Sequence, residues 1–357
     1  MDDRPILLGI TGNIASGKSA VRQYLENEGA LTIDADLLAQ STYLHGGPAY
    51  QPILDTFGED LCLGDGQINR SHLGRIVFED PNAMQRLEAI IHPLVTQQIL
   101  EIAARAEVGL VVVEAIKLFE AGINTKCDAV WTVAASESVR KERLMATRGL
   151  TEADAMRRIR SQSPQEEKIR QSDYVITTDQ DFISTYEQTM QGLAALNATL
   201  PHEILAVSGE SYRPLRRADY RSASRLLERI FPDELSEEQL LRSLSRHSIL
   251  AGFTAGELTA LALWKTELFI GLIQNILPYH PQSEEIKATL EVLAICARMH
   301  ACEALYIPHE LVHPASAKAL GYLPGDSHPP ALNAFAVANF LRKYGLMPEE
   351  VFVHLDL

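Results

Sequence analysis

A short run of glycine, lysine and serine near the start of the chain has the residue types and spacing of a phosphate-binding loop. It reads GNIASGKS and satisfies the pattern G-x-x-x-x-G-K-[ST] in full. The two glycines permit a tight turn whose backbone N–H groups face an anion. The lysine can reach the β- and γ-phosphates, and the final hydroxyl can bind Mg²⁺. A glycine-rich turn without a ligand is the alternative. The predicted ATP-binding residues are Gly12, Asn13, Ile14, Ala15, Ser16, Gly17, Lys18 and Ser19.

Such a loop must follow a buried strand and open a helix, and the flanking residues meet both conditions. PILLGIT reads as a buried strand, and KSAVRQYLENEG as a helix that Gly29 closes. Further apolar runs, separated by helical stretches, read ALTID, VGLVVVEA, AVWTVAA and DYVITT. Apolar strands that alternate with helices predict a parallel sheet covered on both faces. We expect a P-loop domain of three α/β/α layers over residues 1–199.

Two further segments of this domain point to substrate binding. Residues 45–106 are too many for a plain connection, and AMQRLEAIIHPLVTQQILEIAARA has helical apolar spacing, so we expect a helical substrate-binding insertion. Residues 140–170 are basic within an acidic protein and predict a lid that closes on phosphates. A solvated helix face is compatible with the same pattern. The lid arginines are Arg140, Arg143, Arg148, Arg157, Arg158 and Arg160, of which Arg143 and Arg148 are the candidate phosphate contacts.

Two carboxylates follow the second apolar run, at the sheet edge where ligands bind in open α/β folds. They are Asp34 and Asp36. A carboxylate at this position can orient an acceptor hydroxyl and accept its proton. We assign that chemistry to Asp36, whereas capping of the next helix is an equally good interpretation of Asp34.

An ordered series of motifs over residues 5–195 resembles the dephospho-coenzyme A kinase family. The motifs are GITGNIASGKS, TIDADLLA, DGQINRSHLGRIVFEDP, LEAIIHPLV, RGLTEADAMRRIRSQ and SDYVI. The resemblance implies transfer of the ATP γ-phosphoryl group to the ribose 3′-hydroxyl of dephospho-coenzyme A, by a mostly monomeric enzyme. It also implies that Asp36 is the acceptor-side carboxylate and that Arg70 and His92 contact the substrate. A structural role is the alternative for His92, which precedes a proline.

The chain departs from the family pattern at three places. Ala15 replaces a usual glycine, which is tolerated if this residue keeps an ordinary φ. The run EAIKLFEAG places Ile116 and Lys117 where the family has other residues, so another small hydroxyl acceptor is the alternative substrate. The usual lid arginine aligns with Thr147, one place before Arg148, and Thr178 replaces an asparagine.

The acid that ends the third apolar run is a candidate metal ligand. This residue is Glu114, and a carboxylate near Mg²⁺ at the end of a buried strand would suit a phosphoryl-transfer site. An acid that only caps a turn is the alternative. The predicted Mg²⁺ ligands are Ser19, Asp34 and Glu114.

The pattern changes near Leu200, and residues 200–357 predict a smaller α+β domain. Its meander, SILAGFTAGELTALALWKTELFIGLIQNIL, is followed by a helix, the strand ALYIP and a short helix. This part faintly resembles the GCN5-related N-acetyltransferase (GNAT) fold. The stretch LPYHPQSEEIKATL has no glycine where active members bind the acetyl-coenzyme A pyrophosphate, so we expect no acetyl transfer by the usual loop. Its Tyr279, His280, His309 and His313 are expected to be isolated residues rather than a catalytic set.

Composition narrows the functional classes. A net charge of −15 over 357 residues argues against broad binding to nucleic acid or anionic membranes. Four scattered cysteines without metal-ligand spacing, and an acidic start without a signal-peptide pattern, predict a cytoplasmic protein. A regulatory protein that senses ATP without turnover is the alternative from a different class.

Overall fold

The computed structural model describes most of the N-terminal half continuously and the C-terminal half in segments. The described residues are 4–198, 200, 205–207, 210–216, 219–227, 236–267, 270–277, 284–300, 302–324, 341, 345–347 and 350–354. The first sheet has the order β2-β3-β1-β4-β5, and its strand pairs are parallel. Its strands are β1 (Ile6–Thr11), β2 (Leu31–Asp34), β3 (Leu110–Glu114), β4 (Ala129–Ala134) and β5 (Tyr174–Thr177). All five agree with the apolar runs of the sequence.

The helices of this domain cover both faces of the sheet. Successive side chains of a strand point to opposite faces, so Val111 and Val113 pack towards the insertion while Val112 packs towards the helix after the loop. The predicted insertion and lid are both helical. The helices are α1 (Lys18–Asn27), α2 (Ala35–Thr42), α3 (Tyr50–Phe57), α4 (Arg70–Glu79), α5 (Pro81–Arg105), α6 (Glu137–Arg148), α7 (Glu152–Arg160), α8 (Gln165–Arg170) and α9 (Phe182–Leu196).

The C-terminal half is built around a mixed sheet, as the α+β pattern predicts. Its described strands have the order β12-β13-β11-β10-β9-β8-β7-β6, in which only β10 and β11 pair in parallel. They are β6 (Leu205–Val207), β7 (Glu210–Pro214), β8 (Ser248–Thr254), β9 (Glu257–Glu267), β10 (Ile270–Leu277), β11 (Ala304–Pro308), β12 (Leu323–Pro324) and β13 (Val351–His354). The helices are α10 (Tyr220–Leu227), α11 (Glu237–Leu244), α12 (Glu284–Met299) and α13 (Pro314–Ala319).

Helix α1 joins the two halves, because the C-terminal half covers the face of α1 that points away from the first sheet. Glu26 is only 4% exposed, and its Oε1 accepts hydrogen bonds from the hydroxyls of Ser248 (2.7 Å) and Thr266 (3.3 Å). Gln23 Nε2 donates to the Ser248 hydroxyl at 3.0 Å. The helix that carries the phosphate-binding loop at its start is therefore held along its length by buried polar contacts with the second sheet.

Replacing Ser248 with alanine is expected to destabilise the protein by about 1–3 kcal/mol, because buried Glu26 and Gln23 each lose a hydrogen-bond partner. Thermal unfolding of full-length protein measures the effect as a lower Tm. The control is Ser222→Ala, which removes a hydroxyl from the exposed side of α10 and is expected to change Tm little. Equal Tm values for the two variants would show that the buried contacts do not stabilise the junction.

Candidate active site

The loop between β1 and α1 forms an anion cradle. Gly12 and Gly17 have φ values of 147° and 95°, which favour glycine. A Cβ atom at Gly12 would lie 2.2 Å from the carbonyl oxygen of Val133, so no side chain fits there. The buried Asn13 Oδ1 and Ser16 Oγ have no hydrogen-bond partner in the described structure. The Ser16 hydroxyl can therefore donate to a bound phosphate, in agreement with the motif.

Ala15 does not meet the condition under which replacement of the usual glycine costs nothing. Ala15 has a φ of 60°, in the left-handed region that costs a residue with a side chain about 1–2 kcal/mol. Its methyl group packs against the lid cluster of Leu144, Ala155 and Ile159. Burial of that methyl group offsets part of the cost. The positive φ explains why glycine is usual at this position. The alanine is less favourable for the backbone but adds a contact with the lid.

Lys18 lies at the centre of the cradle. Its side chain is buried, and its Nζ donates to the carbonyl oxygen of Asn13 at 3.3 Å. Burial lowers the pKa of Lys18, while the negative charges of Glu114 and Asp36 oppose this shift. The buried ammonium lies close to the two acids and to the loop. It is placed to stabilise the negative charge of a phosphoryl group.

Carboxylates from two adjacent strands stand beside the lysine. Asp34 and Glu114 are paired in the register of β2 and β3. The Ser19 hydroxyl donates to Glu114 Oε1 at 3.1 Å, and Arg22 Nε donates to Oε2 at 2.8 Å. Burial opposes the charge of Arg22, but Glu114 and Glu26 outweigh it and raise its pKa. This set of hydroxyl and carboxylate oxygens has the chemistry that suits Mg²⁺.

Asp34 has the structural role that the sequence left open. Its Oδ1 accepts hydrogen bonds from the N–H groups of Asp36 and Leu37, at 3.1 Å and 3.0 Å, and so caps α2. The cap fixes the first turn of α2, which carries Asp36. Asp34 thus positions the neighbouring carboxylate, and it lines the same cavity as Ser19 and Glu114.

Asp36 lies where two cavities meet. It lines a cavity of about 720 Å³ together with Lys18 and the loop, and a second cavity of about 180 Å³ beside the insertion. Its side chain is open to the cavity, yet the surrounding protein desolvates the carboxyl group and raises its pKa, and the charge of Asp34 adds to the shift. Lys18 opposes the shift. A carboxylate with a raised pKa is a better proton acceptor than an ordinary aspartate.

The lid supplies one arginine directly to the loop. Arg143 Nη1 donates to the carbonyl oxygen of Ala15 at 3.2 Å and to Thr178 Oγ1 at 2.9 Å. Its Nη2 donates to the Thr178 carbonyl oxygen at 2.6 Å. Arg148 lines the same cavity, one turn further along α6. Both arginines predicted as phosphate contacts therefore reach the cavity, and Thr178, a departure from the family pattern, fixes Arg143.

The other lid arginines do not line this cavity. Arg140 is buried, Arg157 is paired with Asp154, and Arg158 and Arg160 are exposed. Two polar contacts that the sequence did not reveal close the lid instead. Gln162 Oε1 accepts the N–H of Ile14 at 2.7 Å, and the Ser163 carbonyl oxygen accepts from Asn13 Nδ2 at 2.9 Å.

The two predicted substrate-binding residues of the insertion, His92 and Arg70, lie in different parts of the site. His92 lines the smaller cavity with Asp36 and Lys117, whose Nζ lies 2.6 Å from Glu88 Oε1. Burial lowers the pKa of His92. Arg70 does not line either cavity; its Nη1 donates to Gln40 Oε1 at 2.8 Å, and Gln40 lines the larger one. Arg70 is therefore at the rim of the site.

The substituted run after β3 faces both cavities. Ile116 lines the larger cavity, and Lys117 lines the smaller one. The Lys168 ammonium donates to the Ile116 carbonyl oxygen and, at 3.2 Å, to Glu120 Oε1. The run is thus fixed from the lid side, and its side chains are in position to influence which acceptor fits.

Two arginines of the C-terminal half also line the larger cavity, and the sequence did not identify them. They are Arg242, in α11, and Arg246, just after it. The start of α11 has the sequence pattern of a capping box. The Ser236 N–H donates to Gln239 Oε1 at 2.8 Å, and the Gln239 N–H donates to Ser236 Oγ at 3.2 Å. That the helix would lie at this cavity is not readable from the pattern.

The histidines of the C-terminal half do not form a catalytic set in the described residues. The rings of His309 and Phe352 have centroids 4.2 Å apart and are tilted by 45°. His313 Nδ1 accepts the N–H of Ala315 and caps α13. Tyr279 and His280 lie outside the described residues. Across the described ranges there is no cluster of three or more histidine, cysteine or acidic side chains of metal-binding geometry, and no helix is long and apolar enough to cross a membrane.

Residues 6–183 match the family model described as dephospho-CoA kinase. The dephospho-CoA kinase of Carboxydothermus hydrogenoformans is 38% identical over 187 residues, which are 52% of this chain and 91% of that protein. The dephospho-CoA kinase of Moorella thermoacetica is 42% identical over 183 residues, 50% of this chain and 86% of its own.

Solved structures are similar to parts of this chain. The crystal structure of TT1252 from Thermus thermophilus is 33% identical, with a TM-score of 0.50, and covers 55% of this chain and 100% of its own. Acetyltransferases are also among the similar structures. One is the ribosomal-protein-S18-alanine N-acetyltransferase from Escherichia coli, at 18% identity and a TM-score of 0.27, covering 32% of this chain and 78% of its own. This similarity says nothing about activity. The curated dephospho-CoA kinases align with this chain over most of their own length. The chain belongs to the dephospho-CoA kinase family.

Proposed function

We propose that this protein transfers the γ-phosphoryl group of ATP to the ribose 3′-hydroxyl of dephospho-coenzyme A. Membership of the family supports the reaction class. The observation that carries the proposal is the position of Asp36, which lies between the cavity of the phosphate loop and the cavity of the insertion. Residues 1–199 form the kinase domain in this proposal, and residues 200–357 form a second, acetyltransferase-like domain.

In the first part of the mechanism, the enzyme holds and orients its two substrates. The loop amides and Lys18 bind the β- and γ-phosphates, and the cavity beside the insertion holds the acceptor ribose, with His92 and Lys117 on its wall. Arg143 and Arg148 close over the phosphates from the lid. Because the lid contacts Asn13 and Ile14 directly, its closed position excludes water from the loop.

In the second part, the acceptor oxygen attacks the γ-phosphorus and the bond from that phosphorus to the β–γ bridging oxygen breaks, which releases ADP. Asp36 accepts the proton of the attacking hydroxyl, and its raised pKa suits this role. Lys18 stabilises the charge that develops on the transferred group and on the leaving oxygen. Ser19, Asp34 and Glu114 are the residues that would hold Mg²⁺, which would supply positive charge to neutralise part of the phosphate charge.

ADP formation by the full-length protein in Mg²⁺ and ATP tests the proposal. We expect ADP to form with dephospho-coenzyme A and not with coenzyme A, in which the 3′-hydroxyl is already phosphorylated. Adenosine is the second control, because it carries the ribose without the rest of the acceptor. Equal rates of ADP formation with adenosine and with dephospho-coenzyme A would overturn the assigned acceptor. Equal rates with and without any acceptor would overturn the assignment of kinase activity.

A further inference from the structure

The segment from Leu241 to Ser248 belongs to the C-terminal half but is fixed to the kinase at both of its ends. Leu241 is fully buried in one cluster with Tyr24 and Tyr186, and the Tyr24 hydroxyl donates to the Leu241 carbonyl oxygen at 3.1 Å. Ser248 is held by its bonds to Gln23 and Glu26. The residues between these anchors therefore have a defined position relative to α1 and the phosphate loop.

The two arginines between the anchors point into the nucleotide cavity. The Arg242 guanidinium lies 5.2 Å from the centroid of the Phe182 ring, at the first residue of α9. The Ser245 hydroxyl donates to the Arg242 carbonyl oxygen at 2.6 Å and shapes the turn that leads to Arg246. Both side chains are exposed, and neither forms an ion pair with a described carboxylate. They are cations that have no counter-charge among the described residues, at the wall of a ligand cavity in a protein of net charge −15.

Three of the four acids that line the cavity lie together, and the fourth, Asp181, caps α9 by accepting the N–H of Ser184. Asp34, Asp36 and Glu114 lie together near Lys18. Arg242 lies at the end where α9 begins, on the Phe182 side. When the γ-phosphate is held between Lys18 and Asp36, the rest of a nucleoside triphosphate extends away from Asp34, Asp36 and Glu114. That direction leads past Thr178 to the arginines.

We propose that Arg242 and Arg246 are nucleotide-binding residues which the C-terminal half adds to the kinase site. They bind ATP at the end of the cavity opposite Asp36, through its phosphates nearest the nucleoside and through the face of the base or ribose. The inference rests on the proposed function only in taking ATP as the nucleotide. It assigns the second domain a direct part in substrate affinity, and it makes ATP a bridge between the two domains.

Calorimetric binding of Mg·ADP to full-length protein tests the inference without turnover. We expect Arg242→Gln and Arg246→Gln each to raise the Kd about three- to tenfold, and the double variant to raise it more, because charge-assisted contacts to phosphate are lost at a partly solvated site. Glutamine retains the first methylene groups of the arginine side chain and a polar end, so packing beside Phe182 changes little. The matched control is Arg225→Gln, on the exposed side of α10, for which the Kd is expected to stay unchanged.

Steady-state kinetics and salt dependence give two independent readouts. In the double variant the KM for ATP is expected to rise, while kcat and the KM for dephospho-coenzyme A stay within about twofold of wild type. The Kd for Mg·ADP is expected to rise less steeply with salt in the double variant than in wild type, since fewer charged contacts remain to be screened. A Kd within twofold of wild type in the double variant would overturn the inference. If wild type binds Mg·ADP but does not phosphorylate dephospho-coenzyme A, the proposed acceptor fails, and the variant Kd values still decide the role of the arginines.

Discussion

Lys18→Ala is expected to lower kcat for phosphoryl transfer by about 10²–10³-fold, and to weaken ATP binding as well. The magnitude is that of removing one preorganised positive group from the transition state of a water-excluded site. Lys18 is buried beside Glu114 and Asp36, so its loss also removes a positive charge that interacts with both acids. ADP formation at saturating dephospho-coenzyme A, measured over a range of ATP concentrations, separates the two effects.

Lys18→Met distinguishes charge from volume, because methionine fills much of the space of the lysine stem without the ammonium. We expect it to lose as much activity as Lys18→Ala. Lys318→Ala, at an exposed position of α13, is the matched control and is expected to keep full activity. An activity of Lys18→Met within about twofold of wild type would contradict the assigned role of the ammonium.

Asp36→Asn is expected to lower kcat by about 10²–10⁴-fold while the Kd for Mg·ADP stays within about threefold of wild type. The amide has almost the shape of the carboxylate but cannot accept the proton of the acceptor hydroxyl, and general-base catalysis accounts for a factor of this size. Asp80→Asn is the matched control, since Asp80 caps α5 away from both cavities and asparagine caps equally well. A nucleotide-sensing protein without turnover would show no such difference between the two variants.

The pH profile of kcat/KM gives a second test of Asp36. Desolvation and the charge of Asp34 raise the pKa of Asp36 above the ordinary aspartate value of 3.8. Because the proton acceptor must be deprotonated, activity is expected to fall as pH decreases through this raised pKa, and to recover as pH increases above it. The acidic limb attributable to Asp36 is expected to be missing from the residual activity of Asp36→Asn. An unchanged limb would assign it to another group.

The first sheet and the loop were readable from the sequence because short-range rules determine them. Buried parallel strands are continuous apolar runs, and the glycines of the loop are required by the backbone itself. The mixed sheet of the second half followed from its meander for the same reason. The positions of Lys18, Asp36 and Arg143 around one cavity follow from strand order, which places the ends of β1, β2 and β4 on the same edge.

The features that the sequence did not reveal depend on contacts between distant parts of the chain. The left-handed φ of Ala15 is accompanied by packing against Leu144, more than a hundred residues away. Arg242 and Arg246 reach the cavity only because Leu241 is buried against Tyr24 of α1. No local pattern encodes either contact. Residues at a junction between domains are for this reason the part of the site that sequence reasoning omits.

The most direct test of the central claim is the position of the transferred phosphoryl group. The full-length protein is incubated with Mg²⁺, ATP and dephospho-coenzyme A, and the acceptor product is isolated and compared with authentic coenzyme A by mass and by ³¹P NMR. The account predicts a single new phosphomonoester on the ribose 3′-oxygen, formed in an amount equal to the ADP released. ADP released while dephospho-coenzyme A remains unmodified, or a phosphate on any other oxygen, would contradict it.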